Sequence, residues 1–228
     1  MPFYIQIGWM YFCIALGLSL LMSLLKSSQA KKFFLMHMVI RKFSILDLQF
    51  PASAHELASV IGDIFELPNG LSRKAVKAVK TQLYLDFIFM PAVYGTIFIL
   101  SMNVSMKMIY FGHKLFAALA WLQIVSWICD IIENVYLLNK LKPKPVVSSP
   151  TVQKAFERLE VIKWSFPLIA SVCSLAAIFY YWIVGNYNDE SLYYIALTIV
   201  EVLLFFIIKK LTTTTEKQQL ESFEAGIA

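Results

Sequence analysis

Five stretches of this chain stay apolar for about as long as a bilayer is thick, and that leaves few folds open to it. A hydrocarbon core of about 30 Å takes roughly 20 apolar residues at the helical rise. Residues 5–25, 83–102, 115–138 and 164–184 reach that length, and 192–208 falls slightly short before ending at Lys209-Lys210. The run 33–40 is too short to cross and reads as an interfacial or buried piece. Only 15% of residues are charged and 59% are hydrophobic, against about 25% charged in soluble domains, so the apolar surplus must face lipid. The expected fold is all-α: a transmembrane helix bundle of five spans with a short helical cytoplasmic insert. The polytopic domain covers 1–211, the insert 26–81, and a polar, loosely ordered cytoplasmic tail 212–228.

Orientation follows from basic residues, because cytoplasmic loops hold the excess of Lys and Arg. Nine lie between the first two spans (Lys26, Lys31, Lys32, Arg41, Lys42, Arg73, Lys74, Lys77 and Lys80). Six lie between spans three and four, from Lys140 to Lys163, and three follow span five. The opposite side carries only Lys107 and Lys114, with Asp189-Glu190 in its second turn. The division alternates through all five spans and places the N-terminus outside and the C-terminus in the cytoplasm. Tyr180, Tyr181, Trp182, Tyr187, Tyr193 and Tyr194 flank the outer turn as an aromatic belt, since such rings favour the headgroup layer. No basic residue precedes the first apolar run and no small-residue cleavage site follows it, so that span is expected to be retained. Cys13, Cys129 and Cys173 sit singly in apolar runs without a CxxC pair and read as packing residues.

The insert is too long to be a bare connection. Ser53-Ala54-His55-Glu56 has the form of a capping box, in which the serine oxygen accepts the Glu56 backbone N–H and the glutamate reaches back. Leu57, Val60, Ile61, Ile64 and Phe65 then share one helical face, and Pro68-Asn69-Gly70 stops that helix. A new helix is expected from about Ser72 straight into span two. Its first turns carry Arg73, Lys74, Lys77 and Lys80, a basic collar for inner-leaflet lipid, each charge contributing about 1 kcal/mol of attraction to anionic headgroups. The collar's junction with a span favours membrane lipid over nucleic acid as its partner. The stretch 43–50 reads as neither strand nor helix.

Four acids fall inside spans: Asp86, Asp130, Glu133 and Glu201. A charge at mid-span costs about 2.5–3.5 kcal/mol on insertion scales. At 1.5 Å per residue these acids sit roughly 5 to 12 Å inside the cytoplasmic boundary. Asp130, Glu133 and Asn134 share a helix face through their i, i+3, i+4 spacing, and Gln123, Ser126 and Trp127 extend that stripe. Pro91 and Gly95 follow Asp86 in span two. Asp86, Asp130, Glu133, Asn134, Lys163 and Glu201 therefore form the expected intramembrane polar cluster.

Three uses of such a cluster compete. It can lock helix packing, with Lys163 and Asn134 satisfying the acids; it can pass protons or cations; or it can form a metal site, with carboxylate oxygens from Asp86, Asp130 and Glu133 for a hard cation, or an acid/base pair, working on a lipid at the inner leaflet. No span holds a histidine, which argues against zinc or a di-iron centre, and His37, His55 and His113 read as plain surface residues. No cofactor or metal is expected. With no Gly-rich phosphate loop, HExxH or GxSxG in the chain, catalysis is left open and the balance tilts against it.

The order Leu85-Asp86-Phe87, Tyr94-Gly95, Asp130-Ile131-Ile132-Glu133-Asn134 and Lys163-Trp164, with Ile45-Leu46-Asp47-Leu48-Gln49-Phe50 before it, resembles a pattern in small bacterial multi-pass membrane proteins of unknown function. It spans about residues 43–185 and implies a bacterial inner membrane without implying an activity. The expectation is a non-catalytic membrane subunit or accessory protein, in contact with lipids and other membrane proteins. A lipid-acting enzyme or a small cation or proton transporter is the alternative.

Overall fold

The computed structural model describes the backbone of residues 2–225 apart from 38 and 69, and side chains over 8–212 apart from 34, 36–41 and 69. Five of its helices are long and apolar enough to cross a membrane: α1 (Pro2–Ala30), α4 (Leu71–Lys107), α5 (Tyr110–Lys140), α6 (Pro150–Ile183) and α7 (Asp189–Ala225). The chain is a helical-bundle membrane protein. Between α1 and α4 lie a hairpin of β1 (Phe34–His37) and β2 (Val39–Lys42), then α2 (Leu46–Gln49) and α3 (Ala54–Phe65).

Helix α4 is the central rod. It packs against α1, α5 and α6, whereas α7 is held mainly by α1. No residue in the apolar window of α7 is buried, which makes it the outermost helix. The observed helices overrun the apolar stretches at every end but that of α6, which stops at Ile183, because the hydrogen-bonded ladder continues until a cap or proline stops it. At α6 the start is Ser149, whose Oγ accepts the Val152 N–H, followed by Pro150 at the first position. Its end is a Schellman turn: Gly185 (φ 71°) and Asn186 donate to the carbonyls of Trp182 and Tyr181. Helix α7 runs on to Ala225, so the backbone that the sequence suggested as a loose tail is helical there. The threonines that begin this extension are tied into the ladder at Thr212, whose hydroxyl donates to the Ile208 carbonyl.

The turn between α4 and α5 is only two residues, Met108 and Ile109, and Tyr110 enters α5 at φ 49°. It is braced from inside. Ser105 Oγ donates to the His113 carbonyl at 2.8 Å, and His113 Nδ1 lies 3.0 Å from both the Ser105 hydroxyl and its carbonyl oxygen. His113 is exposed, as its position suggested, and it also braces this turn.

The insert has a core of the kind found in water-soluble domains. Ser53 Oγ accepts the Glu56 N–H at 3.1 Å, and Glu56 Oε2 accepts the Ala52 N–H at 2.5 Å, so the capping box forms with its return arm one residue early. Leu57, Val60, Ile61 and Ile64 of α3 are buried. They meet Phe33, Leu35 and Phe43 around the hairpin and Ala75, Val79 and Leu83 at the base of α4. Phe33 and Leu35 point inward two residues apart, the strand period, and the Phe33 and Phe43 rings stack at 5.1 Å. This hairpin is an addition to the helical insert expected from sequence. The stretch 43–50 resolves into the single turn of α2, entered through Ser44, whose N–H donates to Asp47 Oδ2 at 2.9 Å.

The insert thus clamps the ends of α4, α5 and α6 through a shared core that includes Leu137, Leu141 and Phe156. Burying each large side chain contributes about 1.5–3 kcal/mol. Ser53→Ala should destabilise α3 by about 0.5–2 kcal/mol, the usual loss for a missing N-cap. Hydrogen exchange across Ala54–Phe65 should accelerate accordingly, and unchanged protection would remove the cap from the account.

Candidate functional site

The α5 stripe turns into the bundle as its spacing requires. Gln123, Ser126, Asp130, Glu133, Asn134 and Leu137 are all buried on one face, while Trp127, placed on that stripe by sequence, is 37% exposed and faces outward. Opposite them, α6 presents Glu160 and Lys163, one turn apart and both buried. The Lys163 ammonium donates to Glu133 Oε2 and, at 3.2 Å, to Glu160 Oε1. It also lies 3.7 Å from Asp130 Oδ1, an ion pair without a direct hydrogen bond. Asp130 Oδ2 instead accepts from Asn134 Nδ2 at 3.0 Å. One lysine therefore holds three carboxylates from two helices, each side chain at most 2% exposed.

Asp86 belongs to a second pair. Its Oδ1 accepts from Lys26 Nζ of α1, and the same ammonium lies 4.4 Å from the centre of the Phe89 ring. Lys26 reaches it because α1 continues past the apolar run to Ala30. The grouping expected from sequence placed Asp86 with Lys163, and the structure gives it this different partner. The two pairs remain within electrostatic reach of each other: Asp86 feels Lys163, and Asp130 feels Lys26. Tyr94 of α4, buried, faces the same layer within reach of Asp86, Asp130 and Glu160.

Glu201 stands apart from this cluster. It lies on α7, against α1, where a Cβ on Gly17 would sit 3.4 Å from its Oε1. Nearby, Cys13 Sγ is 3.7 Å from Thr198 Oγ1. Small residues on α1 let the two backbones approach, and the glutamate occupies that seam rather than the polar layer. Helix α7 is held mainly by α1, and Glu201 faces that seam instead of the layer expected for it.

Sequence reading missed Lys26 and Glu160. Both lie beyond the apolar stretches, where a charge reads as part of a loop. The available signal was the i, i+3 spacing of Glu160 and Lys163 once α6 is started at the Ser149-Pro150 cap. The collar residues Arg73, Lys74, Lys77 and Lys80 are exposed on the first turns of α4. Arg73, Lys77 and Lys80 line an open groove with Phe65 and Tyr84.

The layer has more acceptors than donors. Four carboxyl groups share two ammonium groups, and Asp86 Oδ2, Glu133 Oε1, Asn134 Oδ1 and Gln82 Oε1 are buried without a hydrogen-bond partner. Among the described residues no set of three His, Cys, Asp or Glu is arranged to hold a metal ion. Lys163 itself fills the point on which the carboxylates converge. Fold and site together define an integral membrane protein of the helical-bundle class with a buried ion-pair layer near its insert end. Comparison with protein-family models, with curated proteins and with solved structures finds no match to this chain.

This geometry makes the two sides of the ion pair unequal. Lys163→Met strands three carboxylates and should cost about 3–5 kcal/mol, the range for breaking a buried pair. Glu133→Gln leaves Lys163 with Asp130 and Glu160, and its loss should be clearly smaller. The double variant should lose less than the two single losses combined. Thermal unfolding in detergent measures all three, and strict additivity would refute direct coupling.

Proposed function

We propose that the chain is a non-catalytic membrane component, a subunit or accessory protein, in which the polar layer specifies how α1, α4, α5 and α6 pack. The observation that carries this reading is Lys163, buried and surrounded by the carboxylates of Asp130, Glu133 and Glu160. A lysine so placed acts as a built-in counter-ion that fixes the register of α5 against α6, the best-attested use of a buried charge pair. An enzyme acting on lipid at the inner leaflet would need a cavity leading to these acids. These acids are at most 2% exposed, enclosed by the helices around them.

A second reading, a small cation or proton transporter, draws support from the surplus of two carboxyl groups over ammonium groups in the layer, since buried carboxylates mark ion routes. Asp130→Asn separates the two. Under the packing reading, any loss of function scored by complementation of a deletion strain should track a loss of thermal stability in detergent. Wild-type stability with abolished function would move the assignment to ion or lipid chemistry.

We further propose a bacterial inner membrane, with the insert end cytoplasmic and the N-terminus outside. Eighteen basic residues against two support that orientation through the positive-inside rule, and the sequence resemblance supports the host. In the exposed collar, Arg73, Lys74, Lys77 and Lys80 have the placement needed to meet anionic headgroups. With Asn188→Cys, an impermeant thiol reagent should label intact cells, and with Ser148→Cys it should label only opened ones. The reverse pattern would invert the topology.

A further inference from the structure

Helices α6 and α7 are joined by a five-residue turn, yet they make few direct contacts with each other. The turn is well built. Lys107 Nζ donates to the Asn186 carbonyl at 3.0 Å, and the Tyr181 hydroxyl donates to the Lys107 carbonyl at 3.3 Å. Below it the helices diverge, α6 toward α4 and α5, α7 toward α1. The slot between them is a cavity of about 270 Å³ at the end opposite the insert.

Its walls are apolar, formed by Phe12, Leu100, Leu175, Ile178, Ile195 and Ile199. From Asn188 to Ile199 the lining descends about 16 Å at the helical rise, close to the roughly 15 Å of one leaflet's hydrocarbon. The volume lies just under the ligand-pocket range of about 300–1,000 Å³, enough for one chain.

Two polar groups mark the upper part of the slot. Asn103, 8% exposed, has its amide oxygen turned toward Gly8 of α1, where a Cβ would lie only 2.7 Å away, and its Nδ2 has no hydrogen-bond partner. One turn above it, Lys107 spends one of its three donors on Asn186 and, among the described residues, has no carboxylate within ion-pair distance. The site therefore offers a largely apolar, chain-length slot with a cation at its mouth.

We propose that this slot binds one anionic phospholipid of that leaflet, an acyl chain between α6 and α7 and its phosphate at Lys107. The ligand fills the gap that side chains leave open. This inference rests on the membrane placement alone and is independent of the role of the Lys163 layer.

Native mass spectrometry of the full-length protein, titrated in detergent with phosphatidylglycerol or phosphatidylcholine, tests it. The wild type should retain one phosphatidylglycerol per chain. Leu175→Trp and Ile195→Trp, which fill the slot from either wall, should lower that retention at least tenfold. Lys107→Gln lies at the exposed mouth and should still take up lipid but lose the preference for phosphatidylglycerol over phosphatidylcholine. Thermal unfolding of lipid-free samples confirms that each variant is folded, and Lys107→Gln decides the matter if either tryptophan variant is not. Equal retention in wild type and filled variants would overturn the proposal. So would equal affinity for the two lipids in the wild type, or a lipid-free dimer with a helix of a second copy in the slot.

Discussion

Lys163 brings a single positive charge into a layer enclosed by helices, and the surrounding structure is arranged to keep that charge neutralised. Glu133 and Asp130 reach it from α5, and Glu160 reaches it from its own helix one turn earlier. Hydrocarbon solvates neither sign, so each group depends on its partners for the favourable field that water would otherwise provide. The consequence is positional. Sliding α5 against α6 by one residue would separate the ammonium from the oxygens that hold it, whereas the apolar contacts elsewhere between these helices tolerate small slips. Lys26 and Asp86 repeat the device between α1 and α4, and the two pairs lie near enough to act as one layer.

Helix α4 connects this layer to both ends of the molecule. At its base, Ala75, Val79 and Leu83 join the core built by α3 and the hairpin. In its middle, Asp86 and Tyr94 face the charges. Further along, the Ser101 hydroxyl meets Ser174 of α6 at 3.0 Å, and at its far end Ser105 braces the turn into α5. The insert end coheres by ordinary hydrophobic burial, since water is available there to drive it. Within the spans that drive is absent, because lipid is as apolar as leucine, and small residues and polar pairs do the work. Glu201 over Gly17 belongs to this second regime at the α1–α7 seam.

Much of this was legible in the chain. Apolar runs of membrane length give the five spans, and the Ser53 box gives α3 together with its buried face. The polar spacing of Asp130, Glu133 and Asn134 gives the inward side of α5. What escaped lay at the margins. Residues 34–42 carry no turn signature strong enough to distinguish a hairpin from an interfacial segment. Lys26 and Glu160 look like loop charges because a hydropathy window ends where they begin, while the helices that carry them continue for another turn or several.

The sequence by itself determined which segments cross the membrane, which of their faces are polar and where the insert begins its helix. These are local properties, set by the hydrogen bonds and periodicity of one segment at a time. Tertiary structure alone decided the partners: Lys26 rather than Lys163 for Asp86, α1 rather than the charged layer for Glu201, and the open slot between α6 and α7. Pairing depends on the rotation and height of two helices that are distant in the chain, and their packing sets both quantities.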